Sequence, residues 1–226
     1  MDPWSPIVLV LARMDVIATS LPATDGIRRF NDLYRSVTQD VYDHRATFGD
    51  PPFLAGLTDQ FARMYLEAFD AAIKPGAWRP AFAARSDSTV AAIQHVLAGM
   101  NAHINRDLAI ALVRTLESLD RAWPTLTSTE FADYLHINDL LGARIDAAQV
   151  QYGNELTGAT DVALGHLDEL VALWSLRAAR DVAWSNGSVL FHTPHVLRPV
   201  FVAGLDSLTG LSSAALLVPI PGLGLP

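Results

Sequence analysis

The chain has 226 residues, of which 50% are hydrophobic and 18% charged, and its formal net charge is −8. That length suits one domain with a single core. The acidic balance argues against proteins that bind nucleic acid or an anionic membrane surface, because both classes need a basic face. Cysteine is absent, which excludes disulfides, thiolate metal sites and cysteine nucleophiles.

The apolar run from Ile7 to Ala12 is not expected to be a signal peptide. It is short, it follows Asp2 and Pro3 rather than basic residues, and Arg13 interrupts it. No stretch reaches the ~18 uncharged apolar residues of a membrane span. The sequence therefore predicts a cytoplasmic protein that has no membrane partner.

Helical signals begin at the N-terminus and follow one another closely. Ser5 and Pro6 form a cap and first-turn proline for a helix to about Ser20. Asp25 is the predicted cap of the next helix, "GIRRFNDLYRSVTQDVYDH", whose apolar residues keep a 3.6-residue period. The turn "FGDPPF" precedes a third helix, which ends at "KPG".

The middle of the chain predicts one long helix. A short segment from Trp78 to Arg85 leads to "SDST", a cap cluster before a helix that ends near Leu119. Thr127 and Glu130 have the spacing of a capping box and predict another helix to about residue 152.

Two further helices are predicted near the C-terminus. Thr160 and Asp161 open one that reaches about Asn186, and the cap-then-proline pair Thr193–Pro194 opens the last. No strand-like alternation is found. The prediction is a single all-α domain over residues 1–226, a bundle of six to eight helices around a long buried central helix.

The central helix, "AAIQHVLAGMNAHINRDLAIALV", is apolar nearly all round, which is typical of a buried helix. It nevertheless contains His95, Asn101, His103 and Asp107. His103 and Asp107 are four residues apart and lie on one face, whereas Asn101 lies on a different flank and His95 borders that face. Burial of these groups costs several kcal/mol unless each finds partners, so they are either structural hydrogen-bonding groups or a functional site.

The block "GMNAHINRDL", with "LYRSVT" upstream and "AARDVAW" downstream, resembles a bacterial family of unknown function that is expected to be all-helical. The resemblance covers most of the chain and implies a fold and a site location, but no activity. Ala109 stands where relatives carry a proline, which predicts a straighter helix at this point. The matching residues are Tyr34, Arg35, Thr38, Phe48, Asp50, Pro51, Asn101 to Leu108, Arg180, Asp181 and Trp184.

The first functional hypothesis is a small-molecule enzyme in which His103 is the general acid/base and Asp107 sets its tautomer. Imidazole titrates near neutrality, and such a pair in an apolar pocket suits an isomerase, cyclase or lyase that acts on an apolar substrate, as in secondary metabolism. Asn101 or Arg180 would stabilise a developing oxyanion. Arg35, Asp50 and Arg180 are implied by the resemblance alone. The candidate substrate-binding residues are His95, Met100, Arg35, Asp50, Arg180 and Trp184.

The second hypothesis is a metal-dependent, hydrolase-like site. A histidine and an aspartate four residues apart on a helix can both reach one cation, so His103 and Asp107 are its candidate ligands. His44, Asp50 and His95 are the further candidates, but no second such pair occurs on another helix. No cofactor is therefore expected, with a metal ion as the alternative.

The third hypothesis is a non-catalytic domain that carries a hydrophobic ligand or binds another helical protein. The apolar C-terminal stretch "AALLVPIPGLGLP" favours a homodimer as one form of this hypothesis.

Overall fold

The computed structural model of the chain describes residues 2–138, 140–141 and 176–220, and those residues form helices and connecting turns without any β-strand. The all-α prediction is confirmed. The helix start predicted at Thr160 and Asp161 lies outside the described residues.

The first three helices follow the predicted boundaries closely. They are α1 (Ser5–Ser20), α2 (Gly26–Asp43) and α3 (Pro51–Asp70). The Asp25 carboxylate accepts hydrogen bonds from two backbone N–H groups in the first turn of α2, and Asp50 accepts one in the first turn of α3. These caps satisfy donors that a helix start leaves free.

The central helix consists of three consecutive parts. After the short helix α4 (Arg79–Ala84), the chain forms α5 (Ala92–Ala102), a π-helical turn (His103–Leu108) and α6 (Ala109–Ser118). The long helix is confirmed, but its winding is not uniform. The absence of a proline at 109 does not leave this stretch a straight α-helix, because the widened turn ends directly before it.

Two predicted caps differ from those in the structure. Trp4, rather than Ser5, precedes the first helical residue of α1. A further helix, α7, covers residues 129–138, and its first turn is capped by Ser128, whose Oγ accepts the Phe131 N–H at 3.2 Å. The capping box predicted at Thr127 is therefore displaced by one residue.

The last two helices are α8 (Leu176–His192) and α9 (Arg198–Leu216). Helix α8 continues past the predicted end at Asn186. The prediction that α9 begins after Thr193–Pro194 was wrong, because α9 starts at Arg198 and has its own first-turn proline.

The central helix is enclosed by its neighbours. Residues 93–102 are all buried, since α5 packs against α2 and α9, whereas α6 packs against α3 and α8. At Gly99 the approach of α2 is so close that an added Cβ would lie 2.6 Å from Phe30 Cγ. One continuous apolar cluster joins residues from Trp4 to Ile220.

Among the described helices, α9 is long and apolar enough to cross a membrane, judged by length and composition alone. In this fold its Arg198 forms an ion pair with Glu117, and its Asp206 forms one with Arg106. Its outer face exposes large apolar side chains, which include Val200, Leu208 and Leu211.

Candidate active site

A cavity of about 70 Å³ lies between α2, α3, the π-helical turn, α7 and α8. This volume has room for about five water molecules or for a small organic molecule. Its wall is mostly aliphatic and aromatic, and the polar side chains that line it are Tyr34, Thr38, Thr58, His103 and Arg180. The two threonine hydroxyls donate to the backbone of their own helices.

His103 and Asp107 form a buried hydrogen-bonded pair in the π-helical turn. His103 Nδ1 lies 3.0 Å from Asp107 Oδ2, and the two side chains are 2% and 0% exposed. Asp107 also accepts hydrogen bonds from Trp78 Nε1 at 2.8 Å and from Arg106 Nη1 at 2.6 Å. Because a carboxylate only accepts hydrogen bonds, Nδ1 is the ring nitrogen that carries the proton.

The His103 imidazole is held neutral. Burial lowers the pKa of His103, and the hydrogen bond that its Nδ1–H donates to Asp107 opposes this shift only in part. With Nδ1 as the donor, Nε2 has a free lone pair. Nε2 is buried and has no hydrogen-bond partner in the part of the chain that the structure describes.

Aromatic rings fix the orientation of His103. The Phe61 ring stacks on the imidazole with a centroid distance of 3.6 Å and an interplanar angle of 4°. Tyr34 meets it edge-on at 4.4 Å, and Trp78 lies at 5.9 Å. Burial raises the pKa of Tyr34 well above its ordinary value, so its phenol stays protonated. The imidazole therefore cannot turn freely within its site.

Arg180 also lines the cavity, and it is 3% exposed. Its Nη2 donates to the carbonyl oxygen of Tyr134 at 2.7 Å, and its guanidinium lies 4.2 Å from the centre of the Tyr134 ring. Its Nε is buried without a hydrogen-bond partner among the described residues. Burial lowers the pKa of Arg180, and the nearby Tyr134 and Asp181 oppose this shift only in part. No described carboxylate contacts Arg180 as Asp107 contacts Arg106.

Two polar residues predicted from the central helix lie outside the cavity. Asn101 Nδ2 donates to the Thr209 carbonyl at 3.1 Å and to Ser213 Oγ at 2.9 Å, so this amide fastens α9 to α5. The His95 ring packs against the start of α2, with Nε2 3.3 Å from the carbonyl oxygen of Asp87. Both side chains therefore lie away from this cavity, and their roles in catalysis and substrate binding stay predictions.

Three residues predicted to bind substrate are also elsewhere. Arg35 forms an ion pair with Asp15 near the surface, and Asp50 caps α3 and accepts a hydrogen bond from Arg121. Trp184 belongs to a separate aromatic cluster. Of the predicted substrate-binding residues, the structure places Met100 and Arg180 on the cavity wall.

Three residues that contact the His103–Asp107 pair were not among the predicted catalytic or substrate-binding residues. Phe61 follows the apolar period of α3, so nothing distinguishes it from a core residue. Trp78 contacts Asp107 across a long sequence separation that periodicity cannot reveal. Arg106 precedes Asp107 directly, and that adjacency of opposite charges in an apolar helix was a usable signal.

The donor set around the pair does not suit a metal ion. Both Asp107 oxygens accept hydrogen bonds, and the Arg106 guanidinium would repel a cation there. No group of three or more His, Asp or Glu side chains that could hold a metal is found among residues 2–138, 140–141 and 176–220.

No curated protein and no solved structure matches the chain. One family model does match, over residues 7–219, and its description is a family of unknown function, DUF5995. The matched range includes the π-helical turn and every residue named above as lining the cavity. The chain belongs to the DUF5995 family.

Proposed function

We propose that this protein is an enzyme that performs acid/base chemistry on a small apolar molecule, with His103 Nε2 as the general base. One observation carries the proposal. His103 lines an apolar cavity with Nδ1 held by Asp107 at 3.0 Å, while its buried Nε2 has no partner among the described residues. A buried ring nitrogen without a partner is costly unless a water molecule or a ligand satisfies it.

The surroundings of the pair suit proton abstraction. The Asp107 carboxylate stabilises the imidazolium that forms when Nε2 takes a proton. Its Oδ2 accepts the hydrogen bond from Nδ1–H, with 3.0 Å between the nitrogen and the oxygen. The lowered pKa of His103 keeps Nε2 unprotonated near neutral pH, so the base is ready to react. Return of the proton to another atom of the substrate gives isomerisation, and loss of a leaving group gives elimination.

The proposal is tested by hydrogen–deuterium exchange on candidate substrates. Purified protein is incubated in D₂O with a panel of small apolar ketones, enones and carboxylic acids, and deuterium incorporation is followed by mass spectrometry. We expect incorporation with the wild type and its loss in His103→Gln. His192→Gln, which changes an exposed histidine at the end of α8, is the matched control and should leave exchange intact. Equal incorporation in wild type and His103→Gln would refute the proposal.

A second measurement does not depend on the substrate. The ¹⁵N chemical shifts of the His103 ring at pH 7 report its protonation state, and we expect a neutral ring with the proton on Nδ1. A ring that is charged, or protonated on Nε2, would leave no lone pair for the reaction. A carrier without catalytic activity would show the same tautomer but no deuterium incorporation.

A further inference from the structure

We infer that the cavity takes a monoanion with an apolar body, a small hydrophobic carboxylic acid, whose carboxylate binds Arg180. That this acid is a substrate rests on the enzyme activity proposed above. The binding itself follows from Arg180, which the base chemistry of His103 does not require.

Arg180 is a buried charge that makes no ion pair with a described carboxylate, and the neighbouring Asp181 only partly offsets the effect of its burial. It is the one side chain with a permanent charge on the described wall of the cavity. It forms no ion pair with any carboxylate of residues 2–138, 140–141 or 176–220. Burying an unpaired guanidinium is unfavourable, and an anion that enters the cavity removes this penalty.

A second buried arginine of this protein does have carboxylate partners. Arg106, which is also largely buried, contacts the Asp107 carboxylate at 2.6 Å and the Asp206 carboxylate at 3.0 Å. The fold thus satisfies one buried arginine with two carboxylates. Among the described residues no carboxylate pairs with Arg180 in this way, and we infer that a ligand supplies this group.

The guanidinium is also fixed in place. Its Nη2 donates to the Tyr134 carbonyl, its plane lies over the Tyr134 ring, and the Tyr134 hydroxyl donates back to the Arg180 carbonyl at 2.6 Å. An arginine has five N–H donors, and the buried Nε–H is among those without a partner in the described chain. A carboxylate accepts from such a fork with two oxygens.

The cavity also limits the rest of the ligand. One cation matches one negative charge, and the remaining wall is aliphatic and aromatic. A volume of about 70 Å³ is about half that of a cavity that holds benzene, ~150 Å³, so it suits a short acid such as propionate or butyrate better than a sugar or a nucleotide. Such an acid would lie against the Phe61–His103 stack, within reach of the proposed base.

The test compares acids with their neutral amides. Propionate and propionamide, and butyrate and butyramide, are titrated into the wild-type protein at constant ionic strength. Binding is measured by calorimetry and by the ¹⁵N shift of Arg180 Nε. We expect each acid to bind at least tenfold more tightly than its amide and to move the Nε resonance. Arg180→Met should abolish this preference, and Arg180→Lys should keep part of it.

Arg114→Met is the matched control, because it removes an exposed arginine of α6 by the same substitution and should change nothing. His103→Gln should still prefer acids, so a failure of the base chemistry is distinguished from a failure of anion binding. Equal binding of acids and amides, no binding of either, or an unchanged preference in Arg180→Met would each overturn the inference. If Arg180→Met does not fold, the wild-type comparison and Arg180→Lys decide it.

Discussion

His103 has one ring nitrogen hydrogen-bonded to Asp107, whereas its other ring nitrogen is buried and has no partner among the described residues. The hydrogen bond to Asp107 and the contact with Phe61 fix the ring, while burial lowers its pKa. The energetic cost of keeping such a group in the core rises when the ring becomes charged. Protonation of His103 should therefore contribute to the loss of stability in acid.

The sign of this effect follows from proton linkage. Below about pH 6.5 an unfolded histidine binds a proton that the folded His103 resists, so the free energy of unfolding falls as the pH is lowered from neutrality. His103→Gln lacks this contribution. In urea unfolding, we expect the stability advantage of wild type over His103→Gln to shrink between pH 7.5 and pH 5. His95, whose pKa is also lowered by burial, is present in both proteins and cancels. An advantage that is constant or grows with acid would contradict the assignment.

At the scale of helices, the contacts of Asn101 favour a structural role for this amide over a catalytic one. Its two hydrogen bonds to Thr209 and Ser213 join α5 to α9. Asn101→Ala leaves the Thr209 carbonyl and the Ser213 hydroxyl without this donor, and we expect a loss of about 1–3 kcal/mol in the free energy of unfolding. Deuterium incorporation should persist in the folded fraction. Loss of incorporation without loss of stability would return Asn101 to the catalytic group.

Two helical glycines make opposite predictions for the same substitution. At Gly99 a new methyl group would lie 2.6 Å from Phe30 Cγ, so Gly99→Ala should destabilise the protein by about 1–3 kcal/mol. At Gly204, in α9, a Cβ meets nothing within 4 Å, and Gly204→Ala should stabilise by about 0.5–1 kcal/mol through helix propensity. Thermal unfolding of the two variants tests this pair. Destabilisation by both would indicate that the outer face of α9 is covered.

The helices that could be predicted from the sequence are those whose ends carry local chemistry. Asp25 predicted the start of α2, and the two prolines after Asp50 predicted the turn before α3, because such signals act over a few residues. The position of the His103–Asp107 pair was predicted for the same reason, since its spacing is local. Its partners Trp78 and Phe61, and the isolation of Arg180, depend on packing between distant segments, which no local pattern encodes.

For the whole molecule, burial is concentrated in the central helix and is sparse in α9. Residues 93–102 are all buried, whereas Leu205, Thr209 and Ser213 are the buried residues of α9. The exposed side of α9 presents a row of large apolar side chains to its surroundings. Local stability should follow this contrast.

Amide hydrogen exchange provides the corresponding measurement. We expect slow exchange across α5 and α6 and much faster exchange in α9, because opening α9 exposes less apolar surface. The measurement is made at two protein concentrations. Protection of α9 equal to that of α5 would contradict the expectation, and protection that rises with concentration would identify a second copy of the chain as its cover.

The π-helical turn changes the direction in which the side chains of the central helix point. A regular α-helix advances by about 100° per residue. One widened turn therefore changes the direction in which the side chains after it point, relative to the side chains before it. The two halves of the central helix accordingly pack against different helices. Helix α5 packs against α2 and α9, and α6 packs against α3 and α8. His103 and Asp107 occupy the turn where the phase changes. A single-residue deletion between 102 and 109 would rotate α6 relative to α5, so one of the two helices would lose its packing contacts. The length of this short block is therefore constrained by the packing on both sides of it.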